Sequence, residues 1–516
     1  MQARPISNGT SSFEILRENS YTYVDKTADV YKLVSSATRC FFLSRPRRFG
    51  KSLLLSTLKC YFQGRRELFK GLAIEGLEHD WAAFPVLHFD FSTLKNVTRE
   101  TLESELDQKL CGYEAVYGKA DGATQPNQRL GNLISRAAEQ TGKKVVLLVD
   151  EYDAPLLEVM HDESLLPSIR TVMRNFYAPI KSCDGLLRFV FITGITKFSQ
   201  LSIFSELNNI LNVSMLPDFA ALCGITEEEM VTELSGHIDA LAEAEGISRD
   251  EALTELKEMY DGYHFTLPSP DIYNPYSLLL ALATKEIGSY WFGTGTPKFL
   301  VEMLDKFEVL PEEIGGQECL ASSFDAPTEN LVSATPLLYQ SGYLTIKAYD
   351  KPTKLYTLDY PNKEVREGLS QSLLINYVKR PDKVADLSGK MKRCILKDNM
   401  DGALKLMQET FATIPYCSGA NTEGHYQSML VLALTLCGFK VGAEVRTSRG
   451  RLDAVLFAPG KLYLFELKID GTAKEALAQI DEKQYAERFA LDDRPKVKVG
   501  LTFSTATRTL GEWIIE

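Results

Sequence analysis

The chain has 516 residues, 45% of them hydrophobic and 24% charged, ordinary proportions for a globular protein and enough chain for two to four domains. The formal net charge is −12, yet residues 396–516 hold 15 Lys+Arg against 16 Asp+Glu, so the excess acid lies almost wholly before them. That excludes a protein that coats nucleic acid along its length and leaves a near-neutral C-terminal part able to bind it in a cleft.

In chain order, Tyr23–Thr27 leads into a helix-like stretch to about Ser36. Cys40–Leu43 is a short apolar run that predicts a buried strand. An Arg-rich turn, Ser44–Phe49, follows, and Gly50-Lys51-Ser52 opens a leucine-rich helix. Strand, loop, Gly-Lys-Ser and helix are the layout of a phosphate-binding loop. The N–H groups and dipole at the start of such a helix favour negative charge. Lys51 is placed to reach terminal phosphates and the Ser52 hydroxyl to ligate Mg²⁺, with Arg48 and Gly50 in the loop around the nucleotide. The GxxxxGK[ST] pattern has its first Gly at position 45, where this chain has Arg45. A Lys-Ser pair opening an ordinary helix therefore stays open as the plain alternative.

The next informative strands follow. Phe84–Phe91 reads as a strand, Thr101–Gly112 and Gln128–Thr141 as helices. Val145–Val149 is apolar without alternation, as a strand buried on both faces must be, and it ends in Asp150-Glu151. Asp150 there can hold Mg²⁺ and Glu151 can polarise the attacking water. Ser164–Ile180 reads as a helix carrying Arg170 and Arg174, either solvent ion pairs or arginines facing a second subunit's phosphate; a homo-oligomer is left open. Arg188–Thr196 is another apolar strand, and Thr193 or Thr196 is either a sensor of the terminal phosphate or a strand-ending turn residue. Strands alternating with helices, with polar groups at their C-terminal ends, predict an α/β fold with a parallel sheet flanked by helices.

Residues 220–290 read as a helical lid, with Thr226 and Glu229 in capping-box positions and a compact aromatic turn at Tyr260–Phe265 in which His264 is a packed residue. Residues 291–395 read as a partly helical connection with a short strand at Leu355–Leu358. The expected segments are 1–220, 221–395 and 396–516. Nine scattered cysteines without a C-x-x-C pair point to a reduced, cytoplasmic setting. No apolar run reaches bilayer length and no signal peptide is read, so no membrane partner is expected.

The C-terminal segment carries a second set of chemical groups. Asn421–Leu436 predicts a helix with Tyr426, Met429, Leu430, Ala433 and Cys437 on one stripe, and Glu423 on that same stripe. Two strands follow: Asp453 opens an apolar run, and Leu462–Lys468 returns after a turn at Gly460. Asp453 and Glu466 can meet across the hairpin, and Glu466 and Lys468, two apart, share a face. Two carboxylates and a lysine on one patch suit metal-assisted phosphodiester cleavage. A solvated Glu–Lys pair is the bland alternative, and it leaves Asp453 unexplained.

Asp453, twelve intervening residues and then Glu466-Leu467-Lys468 resemble the PD-(D/E)XK nuclease superfamily, with Leu452 in place of Pro. The helix with Gln479, Lys483 and Tyr485 is similar to that of Gln-bearing members, and Glu423 matches their first-helix acid. Pro46–Ser52, Asp150–Pro155 and Thr193–Ser199 resemble the AAA-ATPase-like family, with Lys197 where that family usually has Arg. The resemblance implies a P-loop domain, a helical lid and a restriction-endonuclease-like α/β domain. It implies ATP and Mg²⁺ as cofactors, with Arg48, Gly50, Lys51, Ser52, Asp150 and Thr193 at the nucleotide and Glu151 catalytic. Glu423, Asp453 and Glu466 would hold metal in the second domain, with Asp453, Glu466 and Lys468 catalytic on nucleic acid, DNA favoured over RNA. Two readings follow: an ATPase coupled to a metal-dependent nuclease, or a nucleotide-switched binding protein whose nuclease-like domain recognises nucleic acid or protein without cutting.

Overall fold

A computed structural model describes residues 4–7, 9–95, 97–160, 162–197, 210–292, 298–327, 331–378, 381–412, 423–447, 450–507 and 509–516; for 298, 299, 385, 423, 446 and 447 it describes the backbone alone. The chain divides into two compact units, Met1–Gly293 with Gln317–Asn362, and Thr294–Gly316 with Lys363–Glu516.

The first unit is built on strands β1 (Cys40–Ser44), β2 (Val86–Asp90), β3 (Val145–Asp150), β4 (Leu187–Gly194) and β5 (Ile210–Asn212). They form one parallel sheet in the order β2-β3-β4-β1-β5. Its middle strands lack alternation because helices cover both faces, and every residue of β1 and of β3 is buried. The helix Lys51–Phe62 packs on one face through Leu54, Leu55 and Leu58. The helices Arg99–Tyr117, Pro126–Thr141 and Leu166–Tyr177 cover the other, burying Leu106, Leu133, Met173 and Phe176 with Leu147 and Val149. Burying each such side chain is worth about 1.5–3 kcal/mol, so this core holds the C-terminal ends of β1, β3 and β4 side by side. In register, Val149 pairs with Ile192 and Ser44 with Gly194.

A short antiparallel pair, β6 (Ile225–Thr226) and β7 (Ile272–Tyr273), anchors the four helices that follow the sheet. Thr226 caps the first of them as its spacing predicts: its hydroxyl accepts from Glu229 N at 3.3 Å and the Glu229 carboxylate accepts from Thr226 N at 2.8 Å. His264 is packed as expected, with Nε2 2.7 Å from Asp271 Oδ1. The region read only as a connection contains a three-stranded antiparallel sheet, β8 (Gln317–Leu320), β9 (Thr345–Asp350) and β10 (Leu355–Asp359), in the order β8-β10-β9. Of these only the strand at Leu355 is legible locally.

The second unit carries a mixed sheet of β11 (Lys440–Thr447), β12 (Gly450–Phe457), β13 (Leu462–Ile469), β14 (Lys496–Ser504) and β15 (Thr509–Ile515) in chain order, with β13 and β14 parallel and the other pairs antiparallel. The helix Glu423–Thr435 packs in its core. The stripe reading understates that burial: Gln427, Ser428, Val431, Leu432 and Leu434 are buried along with the predicted face. A helix enclosed all round cannot show a clean stripe. The helix Ala473–Glu482 follows β13 and lies on β14 at Gly500, where a Cβ would run into Ala473 O. Glycine there lets the helix approach the sheet beside Glu466, which pairs in register with Gly500.

Candidate active sites

The phosphate loop runs from the end of β1 to the helix at Lys51. Gly50 caps that helix at φ +89°, and Arg48 stands at φ +66°. Arg45 occupies the missing glycine's place because its side chain leaves the loop. Its guanidinium donates to Ser44 O at 2.9 Å, Ser214 O at 2.8 Å and Phe219 O at 3.1 Å, and lies 4.0 Å from the Phe265 ring centre. Burial lowers its pKa to about 10, so it stays charged near neutrality. Arg47 and Arg48 are exposed at the tip, Arg48 stacked 4.7 Å over Tyr276.

Lys51 is 3% exposed and lies across the loop, donating to Arg45 O at 3.2 Å and Pro46 O at 3.1 Å, with Glu151 Oε1 3.2 Å away. Asp150 is 2% exposed at the end of β3. Burial raises its pKa, and the hydrogen bond from Ser52 opposes that rise. Its Oδ1 also accepts from Thr193 Oγ1 at 3.2 Å and Glu151 N at 3.0 Å. Lys51, Ser52, Asp150, Glu151 and Thr193 are thus brought together. Ser52 and Asp150 are an oxygen pair that would hold one Mg²⁺. A cavity of about 120 Å³ adjoins Phe49 and Gly50, lined by Tyr23, Val24, Leu54, Ile225 and Leu279 among others.

Thr196 behaves differently from Thr193. It is fully buried, and its hydroxyl and N–H donate to Asp153 Oδ2 at 2.7 and 2.6 Å. Asp153 also accepts from Ile195 N at 3.0 Å, and burial pushes its pKa up to about 6. Asp153 carries no role in the sequence pattern; the signal for it is its position three residues after Asp150. At Gly194 a Cβ would strike Asp153 Oδ1 and the Tyr152 ring, so glycine is required there by contact. Phe198 and Ser199 lie outside the described residues. Arg170 is half-buried and Arg174 exposed on the helix Leu166–Tyr177.

In the second unit, Ala454 pairs with Phe465, which puts Asp453 opposite Glu466 across β12 and β13. Asp453 is the fourth residue of its strand rather than its first. Its Oδ2 accepts from Leu467 N at 2.7 Å. Lys468 Nζ lies 3.5 Å from Glu466 Oε1. Gln479, on the helix Ala473–Glu482, bridges them: its amide nitrogen donates to Glu466 Oε1 and its oxygen accepts from Lys468 Nζ at 2.6 Å. Tyr485 OH stands 3.5 Å from Gln479 Nε2 and in contact range of Gly450, where a Cβ would come within 2.8 Å of it. Gln479 and Tyr485 were legible only through the resemblance.

Glu466 is 2% exposed and its Oε2 is buried without a hydrogen-bond partner. Burial, then repulsion from Asp453, pushes its pKa up to about 8 against the pull of Lys468. A half-satisfied carboxylate facing a second one is the donor set a divalent cation fits, and Asp453 and Glu466 would hold it. No group of three or more such ligands occurs among the described residues. Asn421, Thr422 and Arg449 lie outside those residues, as does the side chain of Glu423, so the predicted first-helix acid has its backbone placed at the helix start and nothing more. No helix of the described residues is long and apolar enough to cross a membrane.

Three comparisons bear on these sites. The AAA-ATPase-like family model, described as "Predicted AAA-ATPase", matches residues 7–204, and a PD-(D/E)XK nuclease superfamily model matches residues 421–513. The chain is 35% identical over 532 residues to an "Uncharacterized protein in vnfD 5'region" of Azotobacter chroococcum mcd 1, covering 100% of this chain and 99% of that one. No solved structure matches. The first match spans β1 to β4 with Lys51, Asp150 and Thr193, and the second spans β11 to β14 with Asp453, Glu466 and Lys468. The chain belongs to the AAA-ATPase-like family, in the form that carries a PD-(D/E)XK nuclease superfamily domain at its C-terminal end.

Proposed function

We propose that the protein binds and hydrolyses ATP in its first unit and cleaves phosphodiester bonds of nucleic acid, DNA in preference to RNA, in its second. Residues 1–220 carry the nucleotide chemistry, 221–395 the lid and connection, and 396–516 the cleavage. The observation that carries the second half is the unpartnered Glu466 Oε2 facing Asp453 beside Lys468. A surface ion pair would not bury a carboxylate oxygen without a partner.

At the first site, Lys51 exchanges its loop carbonyls for phosphate oxygens, and Ser52 and Asp150 hold Mg²⁺, which neutralises charge on the phosphates when bound. Glu151, released from Lys51, orients the attacking water, and Thr193 marks the terminal phosphate. The cavity beside Gly50 takes the base. At the second site, Asp453 and Glu466 hold the metal, whose chemistry is to polarise the scissile phosphate and acidify water. Lys468, kept in place by Gln479, orients that water or takes its proton. The free thiols of the eight described cysteines accord with a reducing, cytoplasmic setting.

The test is cleavage of DNA and RNA substrates with Mg²⁺ or Mn²⁺, with and without ATP, beside phosphate release from ATP. Cleavage lost in Glu466→Ala and turnover lost in Lys51→Ala are the expected results. A parent that binds nucleic acid and cuts neither polymer under any of these conditions overturns the nuclease half in favour of a nucleotide-switched binding protein.

A further inference from the structure

Lys197 follows the turn that leaves β4. Its N–H donates to Gln340 Oε1 at 2.7 Å, and its ammonium pairs with Asp325. Gln340 is itself 4% exposed, and its amide nitrogen donates to Phe324 O at 3.2 Å and Ala326 O at 2.7 Å. One side chain therefore ties the turn after β4 to the backbone on both sides of Asp325. The same segment also meets the phosphate loop. Gly342, at φ +86°, lies so close to Pro46 that a Cβ would come within 2.7 Å of that ring. Trp291 donates from Nε1 to Arg47 O at 3.3 Å and packs against Tyr343 with ring centres 5.1 Å apart.

These contacts complete a chain of fixed positions. Thr193 donates to Asp150, Asp153 holds Ile195 and Thr196, and Gln340 with Asp325 holds Lys197. The turn from Thr193 to Lys197 is thus clamped at three successive points, and its last clamp comes from outside the parallel sheet. Oriented water and phosphate need sub-ångström placement, and a group displaced by about 1 Å can cost on the order of a hundredfold in rate.

We propose that Asp325 and Gln340 are positioning residues of the phosphate site, supplied by the segment around the three-stranded sheet, that fix Thr193 and Asp150 by fixing Lys197. This rests on the nucleotide-hydrolysing reading above.

The experiment uses the full chain and measures phosphate release, affinity for a fluorescent ATP analogue, and melting temperature. Asp325→Ala and Gln340→Leu are each expected to lower kcat about tenfold while leaving nucleotide affinity within about threefold of the parent. Asp325→Ala also strands a buried ammonium, which destabilises by itself. The double variant Lys197→Met with Asp325→Leu removes both charges and is expected to regain the parental melting temperature while kcat stays low. Recovery of kcat together with stability would make the joint structural only and overturn the proposal, as would parental kcat in both single variants. A parent that binds no nucleotide takes down the hydrolysis reading and this one with it. A parent that hydrolyses ATP beside silent variants takes down this one alone.

Discussion

The two sites differ in how they stand without their ligands. In the phosphate site every principal charge has a partner of its own: Lys51 lies on two loop carbonyls and Glu151, and Asp150 accepts from Thr193, Glu151 N and Ser52. In the carboxylate patch Glu466 keeps one oxygen buried without a partner. The first site is closed by its own bonds, which a bound nucleotide would have to displace. The second keeps an unpartnered carboxylate oxygen beside a second carboxylate, a deficit that a bound cation would meet. On the proposed reading, ligand binding is an exchange in one and a completion in the other, and the energetic consequences differ.

The greatest loss is expected where a carboxylate of the second site is removed. Asp453→Ala or Glu466→Ala should lower metal-dependent cleavage by about a thousandfold or more, since each removes a carboxylate that would hold the metal. Lys468→Ala should reduce the rate while metal affinity, read by calorimetry, stays near the parent's. Unchanged cleavage in Glu466→Ala would end the comparison. All three should leave phosphate release from ATP intact.

Next comes the exchanged site. Lys51→Ala should weaken ATP binding about a hundredfold by removing the cation that meets the phosphates. Glu151→Gln should slow hydrolysis to a similar degree while binding ATP somewhat more tightly than the parent, because the Lys51–Glu151 pair no longer has to break. Equal or weaker nucleotide affinity in Glu151→Gln would mean that the pair is no barrier to binding.

A smaller effect concerns the clamp on β4. Asp153→Asn keeps the shape and loses an acceptor for the Thr196 donors, so turnover should fall about tenfold with modest loss of melting temperature. Gly194→Ala should do more to stability, since its Cβ meets Asp153 and Tyr152. If Asp153→Asn matches the parent in both measurements, the carboxylate is not what holds the turn.

A separate effect is a pH dependence peculiar to the deficit site. Glu466 has a folded pKa of about 8, above the usual carboxylate value near 4.3. A raised pKa means that the folded state holds the proton more tightly, so this contribution is full below about pH 4 and is lost as pH rises towards 8. Metal-free protein should therefore melt at lower temperature as pH rises through that window, Mg²⁺ should reverse the trend, and Glu466→Gln should flatten it. A melting temperature in Glu466→Gln that falls with pH as steeply as the parent's would assign the slope to other groups.

The parallel sheet was legible because burial on both faces leaves uninterrupted apolar runs, as in Val145–Val149, and polar residues follow them at once. The hairpin was legible because a two-residue repeat puts Glu466 and Lys468 on one face whatever surrounds them. The helix at Glu423 was legible in extent and not in burial, since a helix enclosed on all sides has no polar face to mark its orientation. The strands β8 and β9 were missed because β8 is only four residues long and β9 is buried at Thr345 and Ile346 alone, so neither carries a sustained hydrophobic pattern.

Residue order and spacing alone fix which groups can act together: Lys51 and Ser52 after β1, Asp150 at the end of β3 with Glu151 next to it, and Asp453, Glu466 and Lys468 across the hairpin of β12 and β13. Those placements follow from local geometry, where spacing and backbone period decide which groups share a face. Tertiary structure alone decided that Arg45 could replace a loop glycine by burying its side chain against Ser214 and Phe219, that Asp153 grips Thr196, and that Gln340 reaches Lys197. Each of those contacts joins residues from 43 to 174 positions apart, and no local pattern encodes a partner that only the closed chain brings near.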